Sequence, residues 1–300
     1  MATRFNSTLT GSQFHTDHFQ QALSRWNRER LAPGLPGAEA AARIDRDARM
    51  ARLELAFLEE LRAEVRGEAA IAPTDVEGFI AWFEALEQTG PGQHDRLFDW
   101  LERDAGHADL RVYLTQEAAG EAGFDDLVAL TQVRLPHRPK MELARNYWDE
   151  MGRGNLKGMH GPMLHYVVEV LDLDPQIETT CWESLALANA MTGMAMNRNY
   201  AWHSVGALGV IELTAPARSA AVSTTMRRLG FEPKMRRYFD LHAVLDIKHS
   251  EEWNREAIRP LVEDEAHGPE RATAMAEGAL MRLRCGERCF ARYRELLGVD

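Results

Sequence analysis

The sequence predicts an all-α protein, a bundle of helices with further helices added at the N-terminus. Three observations carry this. Helical spacing of apolar residues recurs in nearly every stretch between Gly, Pro and capping residues. Strand signals are almost absent: there is no Asn-Gly hairpin dipeptide and no sustained apolar/polar alternation between turns. No 20–50-residue repeat is present, so a solenoid is not expected. The chain has 300 residues, 45% of them apolar and 27% charged, which is ample material for a core.

The elements follow in order. "MATRFNSTLTGSQFHTDHFQ" has no apolar signal-peptide core. "LAPGLPGAEA" is a hinge or loop between an N-terminal arm and the rest. "AEAAARIDRDARMARLELAFLEELRAEVRG" is a long helix with Leu53, Leu58 and Leu61 on it and a glycine stop. "PTDVEGFIAWFEALEQTGPG" opens on Thr74 or Asp75 as cap and closes on Gly and Pro. Further helices are expected at roughly 93–103, 107–119, 121–134, 138–151, 156–171, 179–196, 198–214, 217–229, 234–266 (with a break inside) and 269–297. Residues 1–90 are read as a helical extension packed on a core domain of residues 91–300.

A formal net charge of −11 argues against nucleic acid or an anionic membrane as partner. No apolar run looks long enough to span a bilayer. Three cysteines, Cys181, Cys285 and Cys289, fit free thiols in a reducing cytoplasm. The last two, in "CGERC", stand four apart on a helix; plain helix residues are the expectation, a pair or a metal site the alternative. Homodimerisation is expected on general grounds.

Several polar residues fall on faces that should be apolar. In "FDLHAVLDIKHSEEW", His242, Asp246 and His249 lie within roughly 60° of one another on a helix. Asp240, Lys248 and Glu251 lie opposite, so the stripe points where the core should be. Burying an ionised aspartate without a partner is costly. Either a divalent cation shared with the imidazoles or a buried His–Asp hydrogen-bond network meets that cost. In "NYAWHSVGALGVIELTAP", Glu212 is the only acid and lies on the face of Ala201, Val205 and Leu208, with His203 on the other side. Gly206 and Gly209 permit a close helix approach there. His160 aligns with Leu164, Val167 and Leu171, whereas His165 is rotated away by about 140°. Glu150 aligns with Leu143 and Tyr147. Glu117 aligns with Leu110 and Phe124, and Glu121 shares that face one turn on. Three imidazoles and three or four carboxylates thus converge from five segments. Mixed nitrogen and oxygen ligation of this kind suits two iron or manganese ions between helices, and poorly suits structural zinc.

"NYWDEMGRGNLKGMH", "GALGVIELTAP" and "HAVLDIKH" together resemble the haem-oxygenase-like diiron oxidases and oxygenases, the iron-containing redox enzymes, over roughly residues 95–265. The H-x3-D-x2-H pattern of that family is matched by His242, Asp246 and His249, its upstream glutamate by Glu212, and its middle histidine, with an acid ten residues before it, by His160 and Glu150. Glu117, preferred over Glu121, matches the first-helix glutamate. The resemblance implies a haem-oxygenase-like seven-helix fold without haem. It implies two Fe(II) ions, with manganese as the alternative, and O2 as co-substrate. It implies oxidation of a small amino-acid-like or amine substrate by N-oxygenation, desaturation or C–C cleavage, in natural-product biosynthesis, with an external electron donor. The metal ligands it implies are Glu117, Glu150, His160, Glu212, His242, Asp246 and His249.

Around them, Tyr147, Asn146, Trp202 and Tyr238 are candidate supports for the ligands. Arg145, Arg198, Lys234, Arg236 and Arg237 are candidate carboxylate clamps, with ordinary surface as the commoner role for each. A thiaminase-type hydrolase on the same fold would need Cys181 as nucleophile, and no base adjoins it in sequence. True haem oxygenase would need one proximal histidine and leave the carboxylates unexplained. A non-catalytic helical binding protein would use the inward polar groups as a hydrogen-bond network.

Overall fold

The computed structural model of the chain describes residues 12–35, 37, 40–120 and 123–300, and among them there is no strand. Helix α1 (Asp17–Leu31) begins where the Thr16 hydroxyl accepts from the Phe19 N–H, a side-chain cap for one of the free amides of a first turn. In α2 (Ala40–Ala69) the inner face is Glu54, Phe57, Leu58, Leu61 and Val65. Of the leucines on this helix, Leu58 and Leu61 lie on that face, whereas Leu53 falls about 100° off the stripe and is exposed. Glu54 takes the inner place and is held by Arg30 at 2.5 Å. Helix α3 (Val76–Thr89) is capped by Asp75, which accepts from the Gly78 N–H at 2.9 Å, and buries Phe79, Phe83 and Leu86.

The helices that build the site follow. They are α4 (Arg96–Arg103), α5 (His107–Gly120), α6 (Phe124–Thr131), α7 (His137–Glu150), α8 (His160–Val170) and α9 (Trp182–Met196). Then come α10 (Ala201–Arg228), α11 (Pro233–Trp253), α12 (Arg259–Val262) and α13 (Gly268–Leu297). A single π-helical turn, Asn254–Ile258, joins α11 to α12; this is the break expected within 234–266.

Helix α10 is the central element, packed along its length by α11 and α13. It runs unbroken through Pro216, where a helix end was expected. An interior proline costs about 3 kcal/mol in an isolated helix; packing on both sides outweighs it here. The segment Arg198–Arg228 is also long and apolar enough by composition to cross a membrane, contrary to the expectation that no run is; 61% of the window concerned is buried inside the protein, as in a core helix. A Cβ on Gly206 would run into the Met275 carbonyl, and one on Gly278 into the His203 carbonyl, so the two glycines set the α10–α13 approach. Gly209 leaves room for the Trp253 indole, whose N–H donates to the Val205 carbonyl at 3.2 Å.

Two apolar clusters result. One joins the N-terminal residues Phe57, Phe79 and Phe83 to Leu208, Trp253 and Leu280, so α2 and α3 share a core with α10 and α13. The other is built on Leu97, Tyr113, Phe239 and Phe290. Cys285 and Cys289 are free and buried in these clusters. Burial pushes the Cys285 thiol up to about 11. The two thus pack as apolar helix residues.

Candidate metal centre

Three residues of α7 reach into the space between α8, α10 and α11. The end of α7 is followed by a tight reversal: Gly152, Arg153 and Gly154 all have left-handed backbone, at φ 59°, 54° and 82°. A Cβ on Gly152 would collide with the Gly158 backbone. This compact loop returns the chain so that Glu150, last in α7, faces His160, first in α8. His160 Nδ1 lies 2.8 Å from Glu150 Oε2. The His242 ring of α11 stands edge-on to the His160 ring at 4.7 Å. Glu150, His160 and His242 each offer a ligand atom within 4.8 Å of the others.

A second group adjoins it. Glu212 of α10 and Asp246 and His249 of α11 also offer ligand atoms within 4.8 Å of one another, and all three are buried. His249 Nδ1 lies 3.5 Å from Glu212 Oε2 and 3.8 Å from Asp246 Oδ1. The structure thus brings together six of the seven residues singled out as ligands, in two triads of carboxylate and imidazole. Glu117 is in neither. It is partly buried on α5 and lines the cavity that opens onto both triads. Glu121 lies outside the described residues.

Supporting groups fix the rings. His242 Nδ1 is 2.7 Å from the Tyr238 carbonyl. A carbonyl only accepts, so Nδ1 carries the proton and Nε2 keeps its lone pair for the site. His249 Nε2 is 3.2 Å from Asp149 Oδ2, which leaves Nδ1 toward Glu212 and Asp246. The Asn146 amide donates to Glu212 Oε1 at 2.5 Å. Of the four proposed supports, Asn146 and Tyr238 contact triad residues, Glu212 and His242; Trp202 lies under Arg271, 4.8 Å from its guanidinium carbon, and Tyr147 packs against the main core. Sequence reasoning missed Asp149. Its signal was available: Asn146, Asp149 and Glu150 stand at i, i+3 and i+4, one polar face at the end of an amphipathic helix.

The electrostatics report an excess of negative charge. Burial raises the Glu150 carboxyl, and burial with the nearby Glu212 charge raises Asp246 well above the usual carboxylate range. Burial works against a proton on His249, but Glu212, Asp149 and Asp246 outweigh it and lift the imidazole to about 9. His242 is lowered to about 4 by burial and by His160. His160 Nδ1 and His249 Nδ1 are buried yet make no well-aligned hydrogen bond, although carboxylate oxygens lie within 3.5 Å of each. Lone pairs converging on common points without aligned protons are what a cation requires, so the donor set fits metal.

The cavity holds about 170 Å³ between the two apolar clusters. Its walls carry Glu150, Glu212, His242 and Asp246 on one side, with Phe124, Leu127 and Met191 among the apolar residues. None of the five expected clamps lines it. Arg145 is paired with Glu142, Arg198 donates to the Leu130 and Thr131 carbonyls, and the Lys234 ammonium sits 4.3 Å from the Tyr166 ring centre. Arg236 is buried and Arg237 exposed, both away from the cavity walls. Arg218 and Arg282, which sequence reasoning passed over, do line it. Cys181 does not; its sulfur contacts the Ser184 hydroxyl at 3.1 Å, and burial pushes the thiol up. A nucleophile needs the opposite.

Three comparisons bear on this site. The family model for iron-containing redox enzymes matches residues 111–287, which include all six triad residues. A crystal structure of a domain of unknown function with a haem-oxygenase-like fold, from Shewanella denitrificans OS217, superposes with a TM-score of 0.51 at 15% identity, covering 75% of this chain and 94% of that one. That likeness shows a haem-oxygenase-like fold. No curated protein matches the chain.

Proposed function

Since the chain belongs to the iron-containing redox enzyme family, we propose that it is a non-haem diiron oxidase or oxygenase. In this reading one Fe(II) is held by Glu150, His160 and His242 and the other by Glu212, Asp246 and His249. The observation that carries it is the orientation of His242 and His249. Each has its far nitrogen tied to an acceptor, the Tyr238 carbonyl or Asp149, and its near nitrogen free toward carboxylates. That is the second-sphere arrangement of histidine metal ligands.

A pair of ferrous ions held by these residues would supply redox chemistry toward O2, with one electron available from each. The chain's own residues do the rest. Glu150, Glu212 and Asp246 offset the ions' charge. Asn146 and Asp149 hold Glu212 and the His249 ring in place, and the 152–158 loop holds Glu150 to His160. The apolar part of the cavity wall, with Leu127, Leu187 and Met191, gives a small substrate, an amino acid or amine, a surface to pack on beside the carboxylates. Reducing equivalents beyond those of the two ions come from an external donor. The free cysteines suit a reducing compartment such as the cytoplasm.

The test is rapid mixing. Protein loaded anaerobically with two equivalents of Fe(II) is mixed with O2 and followed optically, alone and with panels of amino acids and amines. An absorbing transient whose lifetime one of these compounds shortens is expected. Iron that oxidises no faster than free Fe(II), with no transient, refutes the proposal.

A further inference from the structure

The cavity has a second polar wall. Arg218 of α10 and Arg282 of α13 enter it beside Tyr113, Glu117 and Tyr293. Neither guanidinium makes a hydrogen bond or ion pair with a described residue, and Arg282 Nη1 is fully buried with no partner. Arg218 lies toward the face of Phe290, its guanidinium carbon 5.8 Å from the ring centre. Burial, and then the charge of Arg282, lower Arg218 to about 10, in keeping with two guanidiniums placed side by side on this wall. Glu117 is the acid that acts on Arg218 from this wall, from beyond ion-pair distance.

Space has been made for this arrangement. A Cβ on Gly286, one turn after Arg282, would lie 2.7 Å from Arg282 Nη1. The guanidinium therefore folds back over a glycine and into the cavity. A guanidinium drawn partly out of water with no anionic partner is costly, so this half-buried pair points to an anionic occupant. Charge points the same way. Two guanidiniums outnumber Glu117, and, if the metal reading above holds, two divalent ions outnumber in charge the three carboxylates around them. A planar carboxylate suits guanidinium forks. The remaining walls, with Leu127, Leu187, Met191 and Ile211, suit an apolar body.

We propose that Arg218 and Arg282 form a carboxylate-binding subsite, so that the substrate is a small acid with an apolar body, oriented head to the arginines and body to the metal triads. An α-amino group on that acid has Glu117 as its partner. This deepens the diiron reading but is measured independently of it.

The experiment is calorimetric titration of the full chain, metal-free and anaerobically Fe(II)-loaded, with hexanoate, hexanamide, L-norleucine and L-norleucinamide. The acids are expected to bind at least tenfold tighter than their amides. Arg218→Gln and Arg282→Gln should each weaken acid binding about ten- to a hundredfold, with iron content unchanged. Gly286→Ala, which displaces only the Arg282 tip, should weaken it several-fold and add nothing on top of Arg282→Gln. Tighter binding of norleucine than hexanoate, lost in Glu117→Gln, identifies the amino acid; equal binding identifies the simple acid. The proposal is overturned if neither acid binds, if acids and amides bind alike, or if both arginine variants retain wild-type affinity. Binding that needs iron and ignores the arginines also overturns it. Arginine-dependent binding in a chain that takes up no iron would sink the diiron reading and leave the subsite standing.

Discussion

Asn146 gives the sharpest test of how the site is supported. Its amide donates to Glu212 Oε1 at 2.5 Å, both residues being buried, while its own Oδ1 has no partner. Asn146→Ala therefore removes one bond and strands no donor elsewhere. A hydrogen bond to an ionised group contributes about 1.5–3 kcal/mol. Loss of a group that orients a metal ligand weakens affinity by roughly 10- to 100-fold, which is about 1.4–2.8 kcal/mol. The two routes agree. Glu212 belongs to one triad, so the loss should fall on one ion. Anaerobic equilibrium dialysis against Fe(II) should show one iron per chain bound with wild-type affinity and the other weakened about 10- to 100-fold. Two irons bound as in wild type, or both weakened equally, would refute the assignment of Asn146 and Glu212 to a separate half.

Further outcomes follow from other residues. Asp149→Asn leaves the His249 ring with a weaker acceptor; iron should bind about tenfold more weakly at the Asp246 half in the same dialysis, with urea stability within about 1 kcal/mol of wild type. Gly206→Ala pushes a methyl into the Met275 carbonyl, and backbone there cannot give way, so urea unfolding should show a loss of about 1–3 kcal/mol or more. Burial alone would raise the Glu277 carboxyl, but the His203 ring at 3.0 Å and Arg62 nearby outweigh it and hold the carboxyl below its usual range. Its contribution is therefore full above the unfolded value, roughly 4.3, and lost as pH falls through the folded one. Between about pH 5 and 3 the wild type should lose stability more steeply than Glu277→Gln; parallel urea midpoints across that range would contradict the sign.

Much of the site was legible because it breaks a pattern. Glu212 and the 242/246/249 stripe are acids and imidazoles on faces that periodicity assigns to the core, and the structure buries all four. Glu117 breaks the pattern too, yet it lands on the cavity wall, since a helical face limits direction to about a third of a turn and says nothing of depth. Asp149 was passed over although its spacing from Asn146 marked the same face: of the two adjacent acids only Glu150 was singled out, and here both point inward. Arg218 and Arg282 were not legible at all. Long side chains reach around a helix, and only the Gly286 gap, visible in three dimensions, shows where Arg282 goes. The unbroken passage of α10 through Pro216, where a helix end was expected, shows the same limit from the fold's side: local signals yield to packing that the sequence does not display.

The central claim is two metal ions in two separable triads. Iron content after anaerobic Fe(II) loading and desalting, measured on wild type, His242→Ala, Asp246→Ala and the double variant, tests it most directly. The account predicts two irons per chain in wild type, about one in each single variant and none in the double. No iron in wild type, or iron content unchanged by either single substitution, would contradict it.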